Sequence, residues 1–177
     1  MGSQYGIWII AAVSSVQISG SSVIHGSTSF SLLNSSGPVS WSVTGPFSLS
    51  SSSGNPVIVS PTGVTGSGML TASSGGTVTT KSITTPIITP PSYIECQSTG
   101  NVFTITHIPG AKSYTWYSGY YNYGADPNIS LQSSSGNTGT FRTYYVSVWT
   151  QAWVSCKVTL SDNSEYWVTI SVLIWPC

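Results

Sequence analysis

The chain has 177 residues, enough for one domain or two small ones. It is 40% hydrophobic, so it can bury a core, yet only 5% charged where an ordinary globular protein carries about 25%; Ser and Thr, about a third of the residues, replace the missing charge. Four Lys and Arg cannot neutralise a row of phosphates or grip an anionic membrane, and no run approaches the ~18 apolar residues of a membrane helix, which argues against nucleic-acid binding and membrane insertion.

In chain order, Met1-Gly2-Ser3 reads as a vector remnant ahead of a piece of a longer, secreted, multidomain chain, with a genuine start codon as the alternative. "YGIWIIAAV" (5–13) follows no Lys or Arg and lacks a cleavage context, against a signal peptide. Ile7, Ile9 and Ala11 alternate with Trp8, Ile10 and Ala12, predicting a strand buried on both faces and paired within the first domain. "TSFSLL" (28–33) sets Phe30 and Leu32 opposite Ser29 and Ser31, and "PVSWSV" (38–43) gathers Val39, Trp41 and Val43 on one face. "FSLSSSSGN" (47–55) and "GMLTASSGG" (68–76) each run into a turn. The Pro-rich "TTPIITPPS" (84–92) marks a stiff junction near residue 86. "VFTITHI" (102–108) puts Phe103 and Ile105 opposite Thr104 and Thr106; "AWVSCKVTL" (152–160) puts Val154, Cys156, Val158 and Leu160 inward. After the turn "SDNS", "EYWVTISVLI" continues the pattern. Helix periodicity is missing, and short alternating runs broken by Gly, Pro, Asn and Ser predict an all-β sandwich.

The chain also repeats itself. "ISGSSVIHG" (18–26) lies on "ITPPSYIEC" (88–96), Trp41 falls on Trp116, and "FSLSSSSGN" lies on "ISLQSSSGN" (129–137). Two tandem immunoglobulin-like β-sandwich domains follow, 1–85 and 86–177, with matching tryptophans in separate interiors. A start of the form I-S-G/P-x-S-x-I-C, then P-G-A-x-S-Y-T-W (Pro109 to Trp116), then S-S-x-G-N resembles the PKD-like and immunoglobulin-like modules of secreted and cell-surface proteins of Bacteroidetes-type bacteria. The resemblance implies sandwiches that act as spacers, adhesive units or accessories of secreted hydrolases, outside the cell. The chain departs from that pattern in having Gly26 where the second copy has Cys96, and in a Tyr-rich insertion after Trp116.

Cys96 aligns with Gly26 and Cys156 with about Gly68, so the first copy lacks both together, which favours a Cys96–Cys156 disulfide. Cys96–Cys177 is the alternative pairing, and reduced thiols the third possibility. His25 and His107 have no Cys, Asp or Glu at ligand spacing and are expected to be exposed or capping. "DPN" (126–128) and "SDNSE" (161–165) are turn chemistry, and "DNSE" is too poor in carboxylates for calcium. With four acids and two histidines the chain has little from which to assemble a catalytic triad, and neither enzyme activity, metal nor cofactor is expected.

"SYTWYSGYYNYGADPN" (113–128) carries six aromatic rings in sixteen positions. Tyr114 and Trp116 share one face, and Trp116, repeating Trp41, is expected in the core. Tyr117 faces the other way, while Tyr120, Tyr121 and Tyr123 lie on an insertion the shared core does not need. Tyr-rich loops bind through rigid, amphipathic area. Tyr117, Tyr120, Tyr121 and Tyr123 are therefore the candidate binding residues for a glycan or protein ligand. The competing expectation is that the loop packs on Trp149 or Trp153.

Overall fold

The computed structural model of the chain describes residues 14–120 and 124–177. The strand expected over 5–13, and the side chains of Tyr121 and Tyr123, lie outside the described residues.

No helix occurs among the described residues; fourteen strands form four sheets. The first seven are β1 (Gln17–Ser19), β2 (Thr28–Leu33), β3 (Ser40–Val43), β4 (Phe47–Leu49), β5 (Val57–Pro61), β6 (Ser67–Ser74) and β7 (Thr77–Thr84). They make one sheet of order β1-β2-β5-β4 and another of order β3-β6-β7. The second seven are β8 (Ile88–Thr89), β9 (Asn101–Ile105), β10 (Ala111–Ser118), β11 (Ile129–Ser135), β12 (Thr138–Thr143), β13 (Thr150–Leu160) and β14 (Glu165–Ile174). Their sheets repeat that order as β8-β9-β12-β11 and β10-β13-β14. Lettering each set A to G gives ABED packed on CFG, the constant-type immunoglobulin arrangement, twice over.

Alternation decides what each sandwich buries. Phe30 and Leu32 from β2, Val57 and Val59 from β5, and Leu70 and Ala72 from β6 close around Trp41, with Ile83 from β7. The second interior gathers Phe103, Ile105, Ile129, Phe141, Val154, Cys156 and Val158 around Trp116, with Phe103 and Phe141 edge to face at 5.1 Å. Both tryptophans sit on the third strand of their set, Trp41 opposite Ala72 and Trp116 opposite Cys156. The Trp116 indole packs directly on Gly139, where an added Cβ would collide with the ring; at that rung the first copy has Val57, since Phe30 pairs with Val57 and Phe103 with Gly139.

The repeated S-S-x-G-N motif has one job in both copies. Asn55 Oδ1 accepts from Leu32 N and its Nδ2 donates to Leu32 O, each at 2.9 Å. Asn137 holds the equivalent residue with one backbone and one side-chain bond, its main-chain carbonyl accepting from Ile105 N at 2.9 Å and its Nδ2 donating to Ile105 O at 2.8 Å. Each asparagine caps the second strand where its ladder partner has turned away.

The disulfide joins Cys96 to Cys177, with Cα atoms 5.5 Å apart, and not to Cys156 as favoured from the sequence. Cys156 is a free, buried thiol in mid-sheet between Trp116 and Val168, remote from the chain after β8. Cys96 instead runs beside the end of β14: Glu95 bridges in parallel to Trp175, and Cys96 N donates to Trp175 O. In the first copy Val23 bridges to Thr84 in the same way. The true equivalents of Cys96 and Cys177 are therefore Ile24 and Pro86, so Cys96 does not fall on Gly26. Aligning the copies at their turns misplaced Cys156, because the β13–β14 hairpin extends farther beyond its tryptophan rung than β6–β7 does. Its actual counterpart is Ala72.

Only three residues separate β7 from β8, and the middle of the expected junction is packed. Thr85 is buried, its hydroxyl accepting from Gly66 N at 2.8 Å, and Val23 joins the buried cluster of the second set.

Candidate functional site

Strand β10 leaves its sheet through Ser118 and Gly119 into the Tyr-rich insertion, and the base of that insertion is tied to β13. Gly119 N donates to Trp153 O at 2.8 Å, and Ser155 Oγ donates to Gly119 O at 2.7 Å. Asp126 accepts from Asn128 N at 2.9 Å with one carboxylate oxygen and from Trp153 N at 3.0 Å with the other. The first contact is the Asx turn expected of "DPN". Gly119 has φ 120°, and a side chain there would run into the carbonyl of Gly124, so the turn requires glycine. Ser155 alternates outward yet is fully buried, because the insertion roofs it.

Above this base lie two aromatic pairs. Tyr117 tilts against Trp167 of β14 with centroids 5.0 Å apart, and Tyr120 meets Trp153 of β13 edge-on at 4.8 Å. A cleft of about 380 Å³ is lined by Tyr117, Trp167 and Tyr120 with Gly124, Ala125 and Leu131, while Trp153 borders a neighbouring pocket on the other side of Tyr120. Of the four tyrosines expected to bind, Tyr117 and Tyr120 share this cleft, each about 40% exposed. The competing expectation, that the loop folds back on Trp153, also holds for Tyr120. Trp153 was named from the sequence only as packing for the loop, and Trp167 was not singled out. With Val154 and Cys156 inward, alternation already required Trp153 to face out.

Elsewhere on the second sandwich, Tyr93, Trp175 and Trp149 form a half-exposed row, with centroids 4.7 and 4.5 Å apart. His25, expected to be exposed or capping, is exposed but stacks flat on Tyr166 at 4.1 Å, tying the first set of strands to β14. Burial holds its imidazole below the ordinary histidine value of 6.5, against the opposing pull of the Asp162 carboxylate. Desolvation disfavours the charged ring, and here it outweighs the nearby charge.

Three of the four basic groups have partners. Lys157 and Glu165 pair at 3.0 Å, Lys112 Nζ donates to Asn163 Oδ1 at 3.1 Å, and the Arg142 guanidinium lies 5.7 Å from the Tyr144 ring centre. Lys81 lies on β7 opposite Leu70. Asp162 accepts from Ser164 N and Oγ within the β13–β14 turn. No group of three or more His, Cys, Asp or Glu occurs among the described residues. What the site offers is flat aromatic area, hydroxyls and backbone, suited to holding a neutral partner.

No family model matches the chain, and no curated protein matches it. Among solved structures it is similar to the C-terminal 282-residue fragment of intimin, solved in complex with the intimin-binding domain of the translocated intimin receptor. The two are 14% identical with a TM-score of 0.38, covering 94% of this chain and 64% of that one, so the chain spans just under two thirds of the fragment. The D0-D1 domain of intimin is 12% identical with a TM-score of 0.38, covering 90% and 98%. FdeC, an Escherichia coli adhesin, is 13% identical with a TM-score of 0.31, covering 90% and 63%. The fold class rests on the strand order, not on these likenesses.

Proposed function

We propose that the chain is a non-catalytic binding or adhesion segment of a secreted or cell-surface bacterial protein, built of two modules, 1–85 and 86–177. Contact with the partner falls to the second module, through Tyr117 and Tyr120 with Trp153 and Trp167, joined by Tyr121 and Tyr123. The observation that carries this reading is the cleft lined by Tyr117, Trp167 and Tyr120, beside which the nearest carboxylate, Asp126, is already committed to backbone. Exposed aromatic area of this kind is the commonest anchor of a contact surface. A disulfide between Cys96 and Cys177, and a surface of hydroxyls in place of charge, support an oxidising, extracellular setting.

The test is an array of immobilised glycans and peptides probed with the chain and with Tyr117→Ser and Tyr120→Ser/Tyr121→Ser/Tyr123→Ser variants. Binding that disappears in both variants while each melts as the parent does supports the proposal. A second reading, a spacer with no ligand, is favoured by the insertion's tethered base and by Tyr120 resting on Trp153. Variants that behave as the parent across the array would establish it.

A further inference from the structure

The two copies treat the open edge of their third strand differently. In the first, the chain leaving β4 crosses over and covers β3. Ser53 bridges antiparallel to Ser40, Trp41 N donates to Ser52 O at 2.8 Å, and Gly54 N donates to Val39 O at 3.0 Å. Gly54 O then accepts the Trp41 indole N–H at 2.7 Å. In the second copy the nearly identical words stay with β12. There β11 remains paired as far as Ser135 with Thr138, and among the described residues no strand or bridge joins the outer edge of β10. Asp126 N, donating to Ser118 O, closes only the far end.

Two consequences appear at Trp116. Its indole N–H is buried without a hydrogen-bond partner among the described residues, where that of Trp41 has one. Its backbone also faces the open side: Gly119 N bonds to β13, so by alternation Tyr114 and Trp116 turn their N–H and C=O away from β13. An unpaired buried donor beside an unpaired edge is costly, and a single added strand relieves both.

We propose that β10 binds an extended, uncharged peptide strand of a partner protein, antiparallel, as β3 binds residues 52–54. One partner carbonyl accepts the Trp116 backbone N–H, the next but one accepts its indole N–H, and the intervening partner N–H donates to Tyr114 O. A small residue, Gly or Ser, stands over the indole. Neutrality of the partner follows from the neighbouring charges, Lys112 and Asp126, both engaged within the chain. Strand addition supplies affinity through the main chain, and the Tyr117 and Tyr120 cleft at the same end of β10 selects side chains. This rests on the reading that the second module carries the contact, and names its partner class.

The probe is the capped peptide Leu-Ser-Ser-Ser-Ser-Gly-Asn, the chain's own residues 49–55, titrated into the whole 15N-labelled chain. The Trp116 indole and backbone N–H signals shift and exchange more slowly, while those of Trp41 stay in place. Replacing the probe's glycine by sarcosine removes the N–H destined for Tyr114 O and weakens binding about tenfold. Trp116 signals unmoved at millimolar probe, or equal binding by the sarcosine peptide, overturn the proposal. A glycan that shifts Tyr117 and Tyr120 but leaves Trp116 still also overturns strand addition, while the proposed function stands.

Discussion

Replacing Cys96 and Cys177 by Ser opens a loop whose ends are 81 residues apart in sequence, nearly the whole of the second sandwich. The chain-entropy relation for a loop of that length gives about 4.5 kcal/mol of lost stability at 25 °C, at the upper end of the ~2–5 kcal/mol found when native disulfides are removed from small domains. For a sandwich of this size, 1 kcal/mol moves the melting midpoint by roughly 4–8 °C, so the second unit should melt on the order of 20 °C lower. The first, which has no cysteine, should keep its midpoint. Differential scanning calorimetry of the double variant reads both transitions. Mass spectrometry of the alkylated parent should find Cys156 as the only labelled residue after denaturation. The Cys156→Ala variant should retain its disulfide and lose only the small stabilisation of one buried sulfur. A double variant that melts with the parent, combined with a Cys156→Ala variant that loses its cross-link, would refute the pairing and the strand register that brings Cys177 beside Cys96.

Truncating Trp41 or Trp116 to Ala should each cost ~3–5 kcal/mol and lower only its own transition; a variant that lowers both equally would contradict two separate interiors. His25 titrates below its ordinary value in the folded chain, so acidification protonates the unfolded chain first, and stability must fall as pH drops below about 6.5 until the folded ring is also charged. Melting curves between pH 7.5 and 5 should show this loss, and His25→Phe, which keeps a flat ring on Tyr166, should abolish it. Burial pushes the Cys156 thiol up to about 12, so the native chain should give no reaction with a thiol reagent at pH 8 and one equivalent in denaturant.

Period-two alternation is a local signal that β2 and β9 follow residue by residue and β13 follows except at the covered Ser155 and the half-buried Leu160: Phe30, Leu32, Phe103, Ile105, Val154 and Val158 are all buried. The match of Trp41 to Trp116 was legible because each fills its own interior. The partner of Cys96 was not, since it depends on how far the β13–β14 hairpin outruns β6–β7, a length that alternation does not encode. The site was half legible. Composition pointed to Tyr117 and Tyr120, but their partners Trp153 and Trp167 lie on other strands and meet them only through register. Least legible was the edge of β10. "SLSSSSGN" and "SLQSSSGN" differ by one residue, yet one crosses to its neighbour's sheet and the other does not.

All four basic residues lie inside hydrogen-bonded strands, Lys81 on β7, Lys112 on β10, Arg142 on β12 and Lys157 on β13, and none lies in a loop. A trypsin-like protease must draw several residues of free chain into its groove, and it cuts most readily at exposed loop tips. The loops here offer such an enzyme no cleavable bond, and the cleavable bonds lie within ladders, that of Lys112 at the bulge where β10 joins β13. Cleavage by such an enzyme must wait for the ladders to open, so its rate should report how often these strands unpair.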